Sequence, residues 1–395
     1  MIEKLDEILE ENFHEMVSVR RYLHQHPELS FKEVETPKYI ANYHRNLGSD
    51  VKEFVGGRGV VATLKGKLPG PTVALRADFD ALPIQEENDL PYKSLVPGVM
   101  HACGHDGHTA QLLLLAKALH AIKDKLAGTV VFIHQHAEEY APGGAIDMIK
   151  DGCLEGVDVI FGTHLWATEP LGKVQYNTGA LMAAADRFEI VVKGKGGHGA
   201  QPHYTKDAIL IGSQIVQSLQ HIVSRRVDPL DSVVISFGAF EAKNAFNVIA
   251  DTAKLEGTVR TFDEGVQNNV INYMKEVIDG IAQSYGATAQ FNYYKGYPAL
   301  INHHDEGELV KEVSLNTPSI KEVEYAKPQM GGEDFSYYLQ HVKGAFFFTG
   351  AMAPDTVDPY PHHHPKFNFD EKAMLHAAKL LGRLTIKAFD EYKRG

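Results

Sequence analysis

Apolar residues recur along the chain with two spacings, which predict helices alternating with buried strands. A helix that Thr36 caps, Pro37 begins and Gly48 terminates precedes two strand-like runs, 59–64 and 71–78. Helical spacing at the start of the chain predicts a single docking helix with an apolar face formed by Leu5, Ile8, Leu9, Phe13, Met16 and Val17. The alternation favours the α/β class of protein.

The densest group of reactive side chains lies in residues 100–108, Met-His-Ala-Cys-Gly-His-Asp-Gly-His. Cys103 and His105 are two residues apart, a spacing that lets a short turn bring sulfur and nitrogen onto one ion. Thiolate and imidazole together favour zinc-like divalent metals over calcium or magnesium. A buried cysteine beside surface histidines would give the same nine residues, so the rest of the chain must decide. We interpret His101 and His108 as structural residues or as supports of the ligands, and we expect a helix over 111–126.

Two carboxylates follow the run 71–78. Asp78 and Asp80 are separated by one residue at its C-terminal end, where open α/β sheets bind their ligands. This spacing fits a metal ligand, a support for other ligands and a solvated loop equally well. We assign both residues to the support of the ligands.

Two further apolar runs lead to side chains that can bind a metal. Run 129–134 precedes Glu138 and Glu139, and run 157–164 ends at His164. Because neighbouring residues that leave a strand point in different directions, one glutamate can bind metal while the other faces water as a general base. The convergence of such residues at strand ends predicts a metal centre, although no single residue does so.

The middle of the chain predicts a separate domain. Residues 181–295 follow the β-α-β-β-α-β order of a ferredoxin-like fold, inserted between parts 1–180 and 296–395 of a domain with a mixed sheet. The glycine-rich segment 194–203 is too flexible for a core strand, so we interpret it as a functional loop. The elements expected in this domain are 187–193, 207–223, 232–237, 252–261, 267–285 and 288–294.

The α/β pattern resumes in the last part of the chain. Segment 330–335 predicts a loop that opens a helix, 345–349 predicts a buried strand, and a final amphipathic helix extends to about Tyr392. Residues 361–365 read Pro-His-His-His-Pro. This triplet fits a metal-binding loop and a solvated polar loop equally well.

Length and composition narrow the class of protein. The 395 residues suffice for two domains, and 44% hydrophobic with 23% charged residues is ordinary for a soluble globular protein. A formal charge of −12, without a basic stretch among aromatics, argues against nucleic acid as a partner. Two cysteines, Cys103 and Cys153, favour a reducing compartment over a disulfide framework. No apolar run reaches the roughly 18 residues of a membrane span, and no leader pattern opens the chain, so we expect a cytoplasmic protein.

Eight motifs, in order along most of the chain, match one known family. They are Arg76-Ala-Asp-Phe-Asp80-Ala-Leu-Pro83, His101-Ala-Cys-Gly-His105-Asp106, Ala137-Glu-Glu139, Gly162-Thr-His164-Leu-Trp166, Gly194-Lys-Gly-Gly-His198-Gly-Ala-Gln-Pro-His203, Asn247-Val-Ile249 with Gly257-Thr-Val-Arg260, Gly332-Glu-Asp-Phe-Ser336, and His363-His-Pro-Lys-Phe367. The chain resembles the bimetallic amidohydrolases and peptidases related to aminoacylase, glutamate carboxypeptidase, hippurate hydrolase and plant auxin-conjugate hydrolases. It is most similar to the bacterial N-acyl-L-amino acid amidohydrolase and hippurate hydrolase branch. The resemblance implies a metallopeptidase-like catalytic domain with an inserted lid and dimerisation domain.

The resemblance also implies the metal site. Cys103, His105, Glu139, His164 and His363 would be the ligands of two divalent ions, with Cys103 bridging them. Zinc, manganese, cobalt and nickel all remain open as the metal, since supply as well as ligand type decides.

The same resemblance implies the catalytic and substrate-binding groups. Glu138 would be the general base and then the acid. His198 would reach the substrate carbonyl across the interface between subunits of a homodimer or homotetramer. Asn247 and Arg260 would hold the substrate carboxylate.

Two departures from the family pattern bear on the site. The branch usually has proline before Ala-Glu-Glu, whereas this chain has His136. The triplet offers three histidines for one ligand, and we choose His363 because the family ligand lies two residues before the proline, here Pro365.

We therefore expect metal-dependent hydrolysis of the amide bond of an N-acyl amino acid, with a dipeptidase or carboxypeptidase of the same two-metal machinery as the alternative. A metal-sequestering protein or a catalytically silent binding module is a different class. Glu138 argues against that class, because storage needs ligands and no spare base beside them.

Overall fold

The structure, a computed structural model, describes residues 1–392. The chain forms two compact units. The first contains Met1–Leu181, Ile301–Lys327 and the chain from Asp334 onward, and the second contains Met182–Leu300 with the short segment Pro328–Glu333. None of the helices within residues 1–392 combines the length and the apolar character that crossing a membrane requires.

Helices and strands alternate through both units. The helices are α1 Ile2–Glu11, α2 Phe13–Gln25, α3 Glu35–Leu47, α4 His105–Ala121, α5 Ala145–Lys150, α6 Ala208–Arg225, α7 Glu264–Ser284, α8 His304–Leu315, α9 Phe335–Leu339 and α10 Lys372–Glu391. The strands are β1 Asp50–Val55, β2 Gly59–Lys65, β3 Leu68–Asp78, β4 Ala127–Gln135, β5 Val159–Pro170, β6 Lys173–Tyr176, β7 Ala180–Met182, β8 Ala184–Lys193, β9 Gly197–His198, β10 Val233–Glu241, β11 Val248–Ile249, β12 Thr252–Thr261, β13 Thr288–Tyr297, β14 Leu300–Ile301, β15 Glu322–Tyr325 and β16 Lys343–Met352.

An eight-stranded mixed sheet forms the centre of the first unit. Its strand order is β1-β2-β4-β3-β5-β16-β6-β15. The four central strands β4, β3, β5 and β16 are parallel, whereas β1, β2 and β6 pair antiparallel with their neighbours toward the centre. The central strands are buried apolar runs, as expected for parallel strands covered on both faces. The predicted mixed-sheet α/β class is confirmed.

The N-terminal docking helix expected from six apolar positions is two helices, which corrects that prediction. Asn12 separates α1 from α2, and its side-chain amide donates a hydrogen bond to the Ile8 carbonyl oxygen at 2.8 Å. Asparagine often bonds to nearby backbone in this way and so interrupts a helix. Both helices still bury apolar residues, including Leu5 and Met16.

Helix α3 begins at Glu35, two residues before the predicted first residue Pro37, and with a different cap. The Glu28 carboxylate, from the preceding loop, accepts the backbone N–H groups of Val34, Glu35 and Thr36 at 2.9–3.0 Å. These bonds satisfy donors that a helix start leaves unpaired, so Thr36 is not the cap. Gly48 ends the helix in the left-handed conformation, with φ of +87°, as predicted.

Helix α4 begins at His105, six residues before the expected start at 111. Gly104 precedes it with φ of +96°, a conformation that favours glycine. The first turn therefore contains the histidine-rich motif, and its polar residues are buried rather than exposed.

The second unit contains the predicted order of strand, helix, strand, strand, helix and strand. Strands β10, β12, β8 and β13 form an antiparallel sheet in that order, and α6 and α7 pack on it. Side chains of Asp207 and Asp263 accept backbone N–H groups at the starts of α6 and α7, which fixes where these helices begin. A separate ribbon pairs β9 with β11.

Candidate metal centre

Two groups of potential ligands meet at the carboxyl ends of the parallel strands in the first unit. Cys103, His105 and His164 form one group, and Cys103, Glu139 and His363 form the other. Within each group the potential ligand atoms all lie within 4.8 Å of one another. The groups share Cys103, so a sulfur atom stands between two three-residue sets.

One nitrogen of the His105 imidazole is surrounded by carboxylates. Its Nδ1 lies 3.0 Å from the carbonyl oxygen of Asp80, which fixes the Nδ1 proton. Its Nε2 is buried without a hydrogen-bond partner among residues 1–392. Carboxylate oxygens of Asp78, Glu139 and Glu138 lie 3.6, 3.7 and 4.0 Å from that nitrogen. This nitrogen is therefore placed to share a cation with the acids around it.

The electrostatics of the cluster also fit a cation. Burial alone would lower the pKa of His105, but Asp78, Asp80 and Glu139 outweigh it and raise the pKa to about 10. Burial, reinforced by Glu139, Glu138 and Asp78, raises the pKa of the Cys103 thiol well above its usual range. A thiolate at position 103 thus needs a positive charge beside it.

His164 lies within β5 and is fixed by its own backbone. Its Nδ1 donates to the Leu165 carbonyl oxygen at 2.9 Å, and its Nε2 lies 3.4 Å from Cys103 Sγ. Burial lowers the pKa of His164 well below its usual range. The ring is therefore neutral, with a lone pair on the nitrogen that faces Cys103.

The chain leaves β4 in a strained conformation before the two glutamates. Ala137 has φ of +53°, which is uncommon for a residue other than glycine. Its N–H donates to the buried Glu33 carboxylate at 3.0 Å, and the N–H of Glu139 donates to Asp80 Oδ2 at 3.0 Å. These two bonds hold the backbone on both sides of Glu138, whose side chain is buried.

His136 replaces the proline of the family pattern without loosening this exit. Its imidazole is buried and meets the Phe31 ring edge-on, with the centroids 5.9 Å apart. Burial lowers the pKa of His136, so the ring is neutral. A packed aromatic pair and the Glu33 carboxylate hold this part of the chain in place of a proline ring.

The three histidine rings of the triplet make different contacts. His363 Nε2 lies 3.2 Å from Glu139 Oε2, and the hydrogen bond to Glu139 raises the pKa of His363. His362 Nε2 instead donates to the Leu165 carbonyl oxygen at 3.0 Å. His364 stacks on Tyr360, with the centroids 4.5 Å apart. Of the three, His363 is the one grouped with Cys103 and Glu139.

Asp78 and Asp80 stand behind the cluster and bond to its histidines. Asp78 accepts from His108 Nδ1 at 2.6 Å and from Arg76 at 2.6 Å. Burial would raise the pKa of Asp78, but Arg76, His105 and His108 hold it well below its usual range. Asp80 takes the Nδ1 side of His105. Both carboxylates are therefore ionised and aimed at imidazoles.

Several contributors to this cluster carried no sequence signal of their own. Ser30 donates to Asp80 Oδ2 at 2.7 Å, and Glu33 holds Ala137, yet both lie in a polar segment that resembles a loop. Arg76 lies inside a matched motif, which is the signal that could have identified it. His101 and His108 are buried like the candidate ligands, and His108 lies in a further group with Asp78 and His105 that could hold a metal, so their interpretation as structural or supporting residues stays a prediction.

The substrate-binding residues predicted from sequence lie in the second unit. His198 on β9 is exposed and pairs across the ribbon with Val248, next to the exposed Asn247. Arg260 on β12 is half-buried, and its guanidinium lies 3.2 Å from the carbonyl oxygen of Val259. Burial lowers the pKa of Arg260. The roles assigned to these three residues stay predictions.

Comparisons with known proteins agree with this geometry. The chain is 60% identical over 374 residues to the protein YhaA of Bacillus subtilis, covering 95% of this chain and 94% of that one. It is 47% identical over 306 residues to the N-acyl-L-amino acid amidohydrolase of Geobacillus stearothermophilus, covering 78% and 82% of the two chains. The crystal structure of the Bacillus subtilis YXEP protein, a dinuclear metal binding peptidase of the M20 family, matches with a TM-score of 0.84 and 37% identity. That match covers 96% of this chain and 99% of the other.

The family itself is identified by its sequence profile. The profile of peptidase family M20/M25/M40 matches residues 74–387, which include every residue of both three-residue groups. The predicted class of enzyme, a hydrolase of amide bonds, is confirmed by this match together with the relatives, and the chain belongs to peptidase family M20/M25/M40.

Proposed function

We propose that this protein hydrolyses the amide bond of N-acyl amino acids with two divalent metal ions, releasing a carboxylic acid and a free amino acid. The observation that carries the proposal is the pair of ligand groups that share Cys103, with Glu138 beside them. Similarity to an N-acyl-L-amino acid amidohydrolase supports the choice of substrate.

The two groups fit two ions of the zinc, manganese, cobalt and nickel range. Cys103, His105 and His164 would hold one ion, and Cys103, Glu139 and His363 the other. A cation among these atoms would give the unpartnered Nε2 of His105 a partner, and it would lower the pKa of the Cys103 thiol, which burial and the nearby carboxylates otherwise raise. Sulfur and nitrogen donors disfavour calcium and magnesium, which prefer oxygen.

When bound, the two ions supply Lewis acidity that polarises the substrate carbonyl and makes water easier to deprotonate. Glu138 takes a proton from the attacking water as the new C–O bond forms. It then gives that proton to the amide nitrogen as the C–N bond breaks, which leaves a carboxylate and an amine. A positioned acid–base group of this kind contributes roughly 10²–10⁴-fold to the rate.

Residues of the second unit would bind the substrate. His198 would donate a hydrogen bond to the carbonyl oxygen, whose negative charge grows in the transition state. Arg260 and Asn247 would hold the substrate carboxylate, Arg260 by a bidentate ion pair. Action of His198 on a neighbouring subunit would require a homodimer or homotetramer.

Metal content measured together with turnover of a substrate panel tests the proposal. The panel contains acetyl-amino acids, benzoyl-glycine and simple dipeptides. We expect about two ions per chain and release of acyl groups that a chelator abolishes and added metal restores. Preference for the dipeptides by a large factor in kcat/KM would instead favour a dipeptidase. Protein that neither contains nor takes up metal would contradict the proposal.

A further inference from the structure

The peptide group of Leu165 connects three histidine rings in the first unit. Its carbonyl oxygen accepts from His164 Nδ1 at 2.9 Å and from His362 Nε2 at 3.0 Å. Its N–H donates to His108 Nε2 at 3.0 Å. His108 lies on α4 and His164 on β5, whereas His362 lies in a loop. It connects a loop to the strand that carries His164.

The His362 ring is packed as well as hydrogen-bonded. Its centroid lies 5.0 Å from that of His164, 4.7 Å from that of Trp166 and 5.1 Å from that of Phe367. Three aromatic neighbours and one hydrogen bond hold the ring in this orientation. The loop at position 362 is therefore attached to β5 through a side chain.

The next residue, His363, lies on the same loop. Its backbone has φ of +66°, a strained value for histidine, and its N–H donates to the Ala102 carbonyl oxygen at 2.8 Å. Its side chain is 52% exposed, in contrast to the buried His164. Besides its contact with Glu139, the His363 ring is positioned by the backbone bond to Ala102 and by the neighbouring His362.

We infer that His362 is a positioning residue that aligns His363 with the cluster, and this inference rests on the ligand groups of the proposed function. His362 bonds to Leu165, beside His164 of one group, and directly precedes His363 of the other. It therefore links the two candidate metal positions without contributing a ligand atom through Nε2, which carries the proton donated to Leu165.

The two positions depend unequally on this link. His164 is held by β5, which pairs with β16 on one side and β3 on the other. His363 lies on a loop without such a ladder. Loss of the His362 hydrogen bond should consequently weaken the group of Cys103, Glu139 and His363, and leave the group with His105 and His164 nearly unchanged.

The test is metal titration of three variants of the full chain by equilibrium dialysis against Zn²⁺ buffered with a competing chelator. His362→Phe keeps the aromatic packing and removes the donor. It should raise the dissociation constant of one of two ions about 10–100-fold, the usual effect of losing a group that orients a ligand, and change the other by less than about threefold. His362→Gln, which keeps an N–H donor, should recover most of the lost affinity.

His364→Phe is the matched control, because the His364 ring stacks on Tyr360 and its Nδ1 accepts a hydrogen bond from the backbone N–H of Lys366, in the same loop. It should bind both ions like the wild type. Thermal unfolding of the metal-free proteins gives a second readout, and all three variants should unfold within a few degrees of the wild type. Equal weakening of both ions, or unchanged binding of both in His362→Phe, would overturn the inference.

Failure of the proposed function gives a different pattern. Wild-type protein that binds two ions but hydrolyses no member of the panel would contradict the substrate while supporting the positioning role if the variants behave as expected. Wild-type protein that binds fewer than two ions would overturn both.

Discussion

The two regions that carry the predicted functional residues are built in opposite ways. In the first unit, three potential ligands are buried: Cys103 in the loop before α4, His105 in the first turn of that helix and His164 within β5. In the second unit, His198 lies on β9 and Asn247 directly precedes β11. Both residues are exposed, and each of these strands has only two residues. A buried polar group must be paired to be tolerated, whereas an exposed one is solvated and can change at little cost to folding. The buried cluster should therefore govern metal binding, and the exposed ribbon should govern substrate handling alone.

Glu138→Gln should cause the largest loss of activity. It tests whether catalysis and metal binding can be separated within the buried cluster. The change keeps the size of the side chain but removes the base, so kcat should fall by at least about 10²–10⁴-fold. Metal content, measured by elemental analysis, should stay at the wild-type level. Glu139→Gln is the comparison, because it should lose metal as well as activity. Substantial turnover by Glu138→Gln would refute the assignment of the base.

His198→Ala should give the next largest effect, through substrate handling alone. Removal of one donor to the developing oxyanion typically costs roughly 10²–10³-fold in kcat. Metal content and thermal stability should be those of the wild type, because the side chain is exposed. His203→Ala, also an exposed histidine of the same segment, is the control and should retain activity. A loss of metal in His198→Ala would contradict the assignment of metal binding to the first unit alone.

Arg260→Ala should affect substrates according to their charge. Hydrogen bonds to charged groups contribute about 1.5–3 kcal/mol, so KM should rise roughly 10–100-fold for a substrate with a free carboxylate. The corresponding substrate amide should show little change. Arg187→Ala removes an arginine that pairs with Glu256 on the same sheet and serves as the control. Equal increases in KM for carboxylate and amide would mean that Arg260 has only its structural contacts.

The smallest effect concerns acid stability and arises from two buried histidines outside the cluster. His44 Nε2 lies 2.9 Å from His134 Nε2, and burial lowers the pKa of His44 to about 3 and that of His134 well below its usual value. Below about pH 6.5 the unfolded chain binds protons that the folded protein excludes. Stability should therefore fall as the pH drops from about 6.5 toward 3, by about 2 kcal/mol at pH 5 from His44 alone.

Chemical denaturation of metal-free protein at pH 7.5 and pH 5 measures this loss. The double variant His44→Leu with His134→Leu removes both titrating groups together, so that neither is left without its partner. Its free energy of unfolding should depend less steeply on pH than that of the wild type. Identical pH dependence in the two proteins would show that other groups dominate.

The sequence predicted the fold well where apolar and polar residues separate cleanly. The central strands β3, β4 and β5 are continuous apolar runs, and the expected polar residues do follow them. The start of α4 was missed, because its first turn is polar and resembled a loop. In the structure that polarity is buried and paired, for example Asp106 with Arg20 at 2.9 Å. Pairing between residues far apart in the chain leaves no local pattern, which is why such partners could not be identified.

The same reason limits prediction of the site. Residues in matched motifs, such as His105 and Glu139, are predicted as ligands from the family resemblance, and the structure brings them into the same cluster. His362 and Ser30 act through hydrogen bonds to Leu165 and Asp80, and these contacts exist only once the chain is folded. His363 is an intermediate case. Within the triplet it was chosen by its sequence spacing of two residues from Pro365, and in the structure it is the histidine that lies beside Glu139.

The order of strands in the mixed sheet has a consequence for synthesis on the ribosome. Val159 on β5 pairs with Lys343 on β16, so the sheet cannot be completed until nearly the whole chain has emerged. The second unit, in contrast, is formed almost entirely by the continuous segment Met182–Leu300 and can fold as soon as that segment is available. His363 emerges later still. A nascent chain can therefore contain a folded second unit while the sheet of the first unit is still incomplete, and truncation before β16 should leave a folded second unit in a protein that lacks both β16 and His363.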